Sequence, residues 1–240
     1  MLKVPDANEK VWRYMDLAKF ISLIDRHGLF FSSVDLFGDP YEGRFPQENP
    51  IESAALSGSK PLTSGRLQRS GRECVDRRRY LVNSWHMSEY ESAAMWAIYS
   101  QFNSGIAIQS TYERLAKSFR KSSDKIYISK VTYIDYTNEK MAEHGGNPIV
   151  PFLYKRKSFS YENELRVITI VPKDKQSIKN GLPSPADDGK YIPVDLNTLI
   201  ERIYVSPRAP PWLGDLVESI LQRFGQSQHQ VIVSKLFSLA

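Results

Sequence analysis

The sequence contains a single cysteine, Cys74, among its 240 residues. One thiol cannot form an intramolecular disulfide, and it cannot build an all-cysteine metal site. The thiol lies among arginines, which favour the thiolate, but the sequence offers it no partner base, so we assign it no catalytic role. The composition suits a reducing compartment.

Long apolar segments are also missing. No run approaches the roughly 18 apolar residues that a membrane-spanning helix needs. The first ten residues, MLKVPDANEK, lack the apolar core of a secretory signal. We therefore expect a cytoplasmic protein without a membrane partner.

Several short motifs that indicate a particular chemistry are absent. The sequence has no phosphate-binding GxxxxGK[ST] loop and no dinucleotide-binding GxGxxG turn. It also lacks the GxSxG nucleophile elbow of many hydrolases. The four histidines include no pair four residues apart on a helix, so we predict no metal site.

Positive charge is modest overall but concentrated in one segment. The formal net charge is +5, and residues 60–79 alone carry seven basic and two acidic side chains, an excess equal to that of the whole chain. Such a patch can bind phosphates or nucleic acid. The candidates for this role are Arg72, Arg77, Arg78 and Arg79. A solvated loop or helix face is the alternative interpretation.

The length and composition are those of an ordinary globular chain. Hydrophobic residues make up 41% and charged residues 25% of the sequence, and 240 residues are enough to bury a substantial core. We expect a single domain over residues 1–240. A basic insertion is predicted at about 46–79, because this stretch shows little hydrophobic periodicity.

Hydrophobic periodicity predicts a mixed α+β fold, with a mainly antiparallel central sheet and flanking helices. The chain opens as strand, helix and strand, since Asp16 can cap a helix that Gly28 can end. FLYKRKSF at 152–159 is predicted to be helical, and ELRVITIV at 164–171 to be a central strand. The C-terminal part, 201–237, is predicted to form a βαβ unit.

Three clusters place polar, ionisable and aromatic groups on adjoining parts of short strands. The first is Trp12-Arg13-Tyr14. The second joins Asn83-Ser84-Trp85-His86 to Trp96 and Tyr99 on a helix predicted at 91–102. The third runs from Lys155-Arg156-Lys157 to Tyr161-Glu162-Asn163-Glu164-Leu165-Arg166. The pKa range of histidine would allow His86 to act as an acid or base, and a structural histidine is the alternative.

Four segments together resemble a known bacterial family. They are Arg13-Tyr14 before an amphipathic helix, Phe31-Ser32-Ser33 before Asp39-Pro40, Met95-Trp96 and Tyr99 before Gly105-Ile106-Ala107-Ile108, and Tyr161-Glu162-Asn163-Glu164-Leu165-Arg166. The combination resembles a domain-of-unknown-function family related to abortive-infection proteins of the AbiGi type, over roughly residues 12–235. The resemblance implies a role in phage defence or a toxin system, with a defence-system partner, and it implies a fold more firmly than an activity.

A second set of residues is similar in order to ADP-ribosyltransferases. These enzymes place an Arg or His on an early strand, a Ser or Thr strand with nearby aromatics, and a late strand headed by Glu-x-Glu. Arg13, Ser84 and Glu162-x-Glu164 follow that order. The resemblance implies NAD as a substrate and a nucleic acid or protein as the acceptor of ADP-ribose.

The chemistry of NAD cleavage then gives the residues roles. Breaking the nicotinamide glycosidic bond creates an oxocarbenium-like ribose, which a carboxylate stabilises. We assign this role to Glu164, and we expect Glu162 to position the acceptor. Arg13, which we count with the two glutamates as a catalytic residue, would hold a phosphate or ribose, and Ser84 would orient the glutamate or ribose. We expect Arg13, Ser84 and Glu164 to meet in one central cleft, on the same face of the sheet. The other candidates for contact with NAD are Tyr14 and His86, with Trp96 or Tyr99 against the nicotinamide ring.

Each assignment has a structural alternative. Trp96 and Tyr99 can be core residues, and the two glutamates can instead pair with Lys157 and Arg166.

Two other functions also fit the sequence. One is a nucleic-acid-binding module or nuclease of a defence system, in which residues 60–79 and Lys155, Arg156 and Lys157 contact phosphate. Its binding would depend steeply on salt. The other is a non-catalytic partner in a complex.

Overall fold

The computed structural model describes residues 2–43, 77–100, 103–139, 147–172 and 188–238. The basic insertion predicted at 46–79 lies outside the described residues except for its last three, Arg77–Arg79, which form a short 3-10 turn. Cys74 and Arg72 also lie outside them.

The described stretches form eleven strands and five α-helices, with short 3-10 turns between them. The strands are β1 Lys10–Asp16, β2 Gly28–Ser33, β3 Tyr80–Met87, β4 Gly105–Thr111, β5 Ile126–Lys130, β6 Thr132–Ile134, β7 Tyr154–Arg156, β8 Glu164–Ile170, β9 Gly189–Pro193, β10 Arg202–Val205 and β11 Val231–Val233. The helices are α1 Leu17–Arg26, α2 Ala93–Tyr99, α3 Tyr112–Ser118, α4 Leu196–Leu199 and α5 Trp212–Arg223. None of these helices is long and apolar enough to cross a bilayer.

Nine of the strands join in one sheet. Its main path runs β11-β10-β4-β1-β3-β2-β9, and β8 and β5 extend it from β3. Every pairing in this sheet is antiparallel except that of β10 with β11. The two remaining strands, β6 and β7, form a separate parallel pair. The predicted α+β class with a mainly antiparallel sheet is confirmed.

The sheet forks at β3. Strand β8 pairs with β3 from Tyr80 to His86 and so occupies one whole edge. Strands β1 and β2 must therefore share the other edge, where β1 pairs only with the last two residues of β3 and β2 only with Leu81 and Val82. Residues 83–85 are left without a strand partner on this edge.

Two side chains satisfy backbone groups at the fork. Arg13 donates from Nη1 to the carbonyl oxygen of Ser84, at 2.6 Å. Asn83 donates from Nδ2 to the carbonyl oxygen of Phe30, at 2.8 Å, and its own Oδ1 accepts from the indole of Trp85. A buried carbonyl without a donor costs about 1–3 kcal/mol, so these two contacts allow the strands to separate.

The main apolar core lies on one face of the sheet. Helices α1, α3, α4 and α5 cover this face, against alternate residues of the strands. The second face carries two smaller apolar clusters, one around Trp12, Tyr14 and Trp96, the other around Tyr80 and Phe152. The polar side chains of β3 and β8 lie between these two clusters.

Helix α1 follows from local sequence signals. Asp16 accepts a hydrogen bond from the backbone N–H of Lys19 at 2.8 Å, a cap worth about 1 kcal/mol. The buried residues Phe20, Leu23 and Ile24 recur at helical spacing. The left-handed residue that ends the helix is His27, with φ 47°, whereas Gly28 begins β2. The strand–helix–strand opening is thus as predicted, with the stop one residue earlier.

The prediction of a helix at 152–159 is wrong. The segment contains the end of a 3-10 turn, strand β7, and the start of a second 3-10 turn over Lys157–Glu162. Pairing of β7 with β6 fixes the extended conformation, so tertiary contacts override the local propensity.

The predicted βαβ unit at the C-terminus is confirmed, since β10 and β11 are parallel and α5 connects them.

Gly189 occupies a backbone conformation that other residues rarely adopt. Its φ is +141°, and a Cβ atom there would lie 2.2 Å from the carbonyl oxygen of Phe31. We expect Gly189→Ala to lower the free energy of unfolding by about 1–3 kcal/mol in urea denaturation. Gly38→Ala is the matched control, because its Cβ would meet nothing within 4 Å. Equal losses in the two variants would contradict this account of the β2–β9 pairing.

Candidate functional site

A cleft of about 720 Å³ opens at the fork of the sheet. Its size is in the range of small-molecule and cofactor sites. Residues from all three sequence clusters line it. The predicted site residues among them are Arg13, Tyr14, Ser84, His86, Tyr99, Glu162 and Glu164.

Glu164 and Arg166 form the centre of the site. They lie two residues apart on β8, so both side chains point to the same face of the sheet. The guanidinium donates from Nε to Oε1 at 2.7 Å and from Nη2 to Oε2 at 3.0 Å. This two-point contact is the strongest geometry for such a pair. Glu164 is only 4% exposed, so the pair lies in a region of low dielectric.

Arg166 also joins two other segments to β8. Its Nη1 donates to the carbonyl oxygen of Phe152 at 2.8 Å. Its Nη2 donates to Oε2 of Glu42 at 2.8 Å, across 124 residues of sequence. Glu42 belongs to the segment 36–42, which forms one wall of the cleft. The wall is therefore held in place by a buried ion pair.

Lys155, on β7, is the second cation of this cluster. Its Nζ lies 2.5 Å from Oε2 of Glu162, 3.3 Å from Oε1 of Glu42 and 3.4 Å from Oε2 of Glu164. The ammonium also lies 4.8 Å from the ring centroid of Phe159. Three buried carboxylates thus face two buried cations, which leaves one formal negative charge in the wall of the cleft.

These charges shift the pKa values of their neighbours. Burial alone would raise the pKa of Glu164, but Arg166, through its charge and its hydrogen bonds, and Lys155 together lower it to about 2. Ser84 lowers the pKa of Glu164 slightly further. Burial lowers the pKa of Lys155, but Glu164 and Glu42 outweigh it, and the pKa is raised. Both groups are therefore charged at neutral pH.

Tyr99 and Glu162 meet at the mouth of the cleft. The Tyr99 hydroxyl donates to Oε1 of Glu162 at 2.9 Å. Burial of the hydroxyl, followed by the charge of Glu162, raises the pKa of Tyr99, so the phenol stays protonated. The residue as a whole is 44% exposed. The hydroxyl is therefore fixed while part of the ring remains open to a ligand.

His86 lines the cleft, and one of its ring nitrogens has a fixed partner. Its Nδ1 lies 2.6 Å from the carbonyl oxygen of Glu162. A carbonyl oxygen only accepts hydrogen bonds, so Nδ1 carries the proton in this contact. In the neutral imidazole Nε2 is then unprotonated and can accept a proton.

Arg13 reaches the cleft through the fork. It alternates with Trp12 and Tyr14 along β1, so its side chain starts on the face of the sheet opposite Glu164. The predicted catalytic group of Arg13, Ser84 and Glu164 on one face is therefore wrong for Arg13. Its guanidinium lies in the gap between β1 and β3 and contacts the Ser84 carbonyl. Within the described ranges no carboxylate pairs with it and no hydrogen bond joins it to Glu164. Burial lowers the pKa of Arg13 to about 10, which leaves it a desolvated cation at neutral pH.

Tyr14 lines the cleft, whereas its neighbour Trp96 does not. The Tyr14 hydroxyl accepts from the backbone N–H of Ser92, and its ring lines the cleft. Trp96 lies behind it, edge to face at 5.0 Å, with 0% of its surface exposed and its indole donating to Glu91. Trp96 is thus a core residue, and its predicted contact with nicotinamide does not fit the structure, because Tyr14 stands between it and the cleft.

The described part of the basic segment does not join the cleft. Arg77 donates to the carbonyl oxygen of Val34, and Arg79 to that of Val171. Both guanidiniums therefore form hydrogen bonds between the start of β3 and the backbone of neighbouring segments. Arg78 also has an interaction partner. The predicted nucleic-acid contact of Arg72 lies outside the described residues.

The sequence prediction missed three members of the site. Glu42 is not identified from the sequence at all, Lys155 is predicted only to contact phosphate in the nucleic-acid alternative, and Arg166 is predicted only to pair with a glutamate. The alternation of Glu164 and Arg166 on one strand was a usable signal for their pairing. Among the described residues, no group of three or more His, Cys, Asp or Glu side chains is placed to hold a metal ion.

Arg166→Met tests how much the ion cluster contributes to the free energy of unfolding. The substitution keeps an extended side chain but leaves Lys155 as the remaining cation beside Glu42 and Glu164. Removing one partner of a buried ion pair costs about 3–5 kcal/mol. We expect a fall of that size in the free energy of unfolding. Lys117→Met is the control, since it breaks the exposed pair with Glu113 and should change stability by less than about 0.5 kcal/mol. A similar small effect from both variants would contradict the account.

Acid sensitivity tests the charge state of Glu164. Its pKa falls from an ordinary 4.5 to about 2 on folding. Its contribution to stability is therefore complete above about pH 4.5 and is lost as pH falls through 2. We expect Glu164→Gln to flatten the decline in unfolding free energy between these values, measured by denaturation at each pH. Glu89→Gln, at an exposed ion pair with Lys10, should keep the wild-type slope. If the unfolding free energy of all three proteins declined equally with falling pH, the low pKa of Glu164 would be contradicted.

No known protein-family profile, no curated protein and no solved structure matches the chain at a significant level.

Proposed function

We propose that the cleft binds NAD, cleaves the bond between nicotinamide and ribose, and transfers ADP-ribose to a nucleic acid or protein acceptor. The single observation that carries the proposal is the buried cluster of Glu42, Glu162 and Glu164 around two cations. Together these three carboxylates and two cations carry one formal negative charge, and all five side chains line the cleft. A fixed negative charge in a site of low dielectric favours a reaction that develops positive charge.

The two glutamates of β8 and its preceding turn would act on the ribose. As the C–N bond breaks, its electron pair leaves with neutral nicotinamide, and the ribose becomes an oxocarbenium ion. Glu164 stays ionised because its pKa is low, and Glu162 lies beside it through their shared contact with Lys155. Together they would stabilise the cation electrostatically. Arg166 and Ser84 hold Glu164 in position.

The neighbouring aromatic and cationic groups supply contacts to the rest of NAD. The open part of the Tyr99 ring provides a flat surface for nicotinamide beside Glu162. Arg13 is a cation with no carboxylate partner among the described residues, and it lines the same cleft. Its suitable ligand is the pyrophosphate. Since it enters through the fork, we assign Arg13 to binding and not to the reacting bond.

His86 is suited to activate the acceptor. Its Nδ1 is engaged by the Glu162 carbonyl, so Nε2 is available as a base. An acceptor oxygen or nitrogen would attack C1′ of the ribose, and its proton would pass to Nε2. The resemblance to the AbiGi-type family favours an effector of phage defence or of a toxin system as the biological setting.

NAD binding and nicotinamide release by the purified protein test the proposal, with total nucleic acid and protein lysate supplied as acceptors. We expect wild type to release nicotinamide, and Glu162→Gln and Glu164→Gln each to reduce the rate about 100-fold or more, the scale of a lost electrostatic contact in a transition state. Glu89→Gln, which changes an exposed carboxylate, should retain the wild-type rate.

Two results would contradict the proposal. One is an absence of NAD binding and of nicotinamide release by wild type with every acceptor. The other is equal release by wild type and by a folded Glu164→Gln variant. Circular dichroism of each variant would establish that a loss of release is not a loss of fold.

A further inference from the structure

A pair of aromatic side chains lines the cleft away from the carboxylates. Phe30, on β2, is 37% exposed although it borders the cleft, and Tyr191, on β9, is half-buried. Their ring centroids are 5.0 Å apart with an interplanar angle of 56°. Isolated apolar side chains on a surface are common, but an exposed aromatic ring inside a ligand-sized cleft provides a ready surface for stacking.

The strand register places Phe30 on the same face of the sheet as the carboxylates. Phe30 is directly opposite Tyr191 across β2 and β9. The pairing of Ser32 with Val82 gives Phe30 the same orientation as Ser84 on β3. Ser84 in turn pairs with Arg166 on β8. Two strand spacings, at least roughly 10 Å, therefore separate Phe30 from the ion cluster along one face.

Neighbouring residues fix the pair. A side chain at Gly189 would collide with the ring of Phe30, at 2.6 Å from its Cζ, so only glycine leaves room for the ring there. The Tyr191 hydroxyl shares a hydrogen bond of 2.6 Å with Ser22, and the guanidinium of Arg26 lies 4.7 Å from the Tyr191 ring centroid. Arg26 and Phe30 thus both contact Tyr191, and Phe30 is the member of the pair that is free to take a ligand ring.

We propose that Phe30 is the stacking platform for the adenine ring of NAD, with Tyr191 as its support. This inference rests on the proposed function, which places the nicotinamide ribose at Glu162 and Glu164. The other end of an extended dinucleotide then lies further along the same face, where Phe30 offers an aromatic surface. Stacking on an aromatic side chain is the usual contact for a nucleobase without a dedicated set of hydrogen bonds.

Binding measurements with fragments of NAD test the platform separately from catalysis. The probes are NAD, ADP-ribose and nicotinamide mononucleotide, titrated by calorimetry into wild type, Phe30→Leu and Phe30→Tyr. Leucine preserves apolar bulk but removes the π-face, whereas tyrosine keeps it. We expect Phe30→Leu to weaken NAD and ADP-ribose about tenfold, as loss of one stacked base does. Nicotinamide mononucleotide, which has no adenine, should bind wild type and Phe30→Leu equally. Phe30→Tyr should bind all three probes as wild type does.

The outcomes distinguish the platform from the proposed function. Wild-type affinity of Phe30→Leu for NAD and ADP-ribose would overturn the platform and leave the proposed function intact. An equal weakening of nicotinamide mononucleotide would also overturn it, because the effect would then not depend on adenine. If wild type bound neither NAD nor ADP-ribose, both the stacking platform and the proposed function would be overturned. Since leucine can alter the β2–β9 pairing, Ser22→Ala, which removes the hydrogen bond to Tyr191, provides a second variant, and it should weaken ADP-ribose but not nicotinamide mononucleotide.

Discussion

The arrangement of the cleft depends on the buried guanidinium of Arg166. It donates to Glu164 on its own strand, to Glu42 on the segment that forms one wall, and to the carbonyl oxygen of Phe152. One side chain thus joins β8, the wall segment 36–42 and the turn that contains Phe152. Lys155 shares two of the same carboxylates. A buried cation without partners is costly, and so are buried carboxylates, so the members of this cluster are stable only together.

The fork in the sheet supplies the space that the ion cluster borders. Strands β1 and β2 pair with opposite ends of the same edge of β3, and Arg13 and Asn83 satisfy carbonyl groups beside the gap between them. Apolar clusters on either side close the ends of this region. The cleft therefore combines buried charged side chains with aromatic ones, as small-molecule sites commonly do.

Local patterns predicted the fold class and several elements because the causes of those elements are local. The cap at Asp16 and the apolar spacing of α1 lie within ten residues, and the βαβ end has Pro and Gly at its boundaries. The helix prediction at 152–159 failed because the pairing of β7 with β6 is set by residues about 20 positions away. Glu42 could not be predicted, since its partner Arg166 is 124 residues away. Trp96 shows a related difficulty, because an aromatic residue beside a site has the same local pattern as one in the core.

A crystal structure of Glu164→Gln soaked with NAD tests the central claim most directly, because the substitution should slow cleavage while preserving the side-chain shape. The account predicts the nicotinamide ribose in contact with the side chains at positions 162 and 164, and the nicotinamide ring beside Tyr99. NAD bound elsewhere on the protein, or bound in the cleft with its nicotinamide ribose remote from both positions, would contradict it.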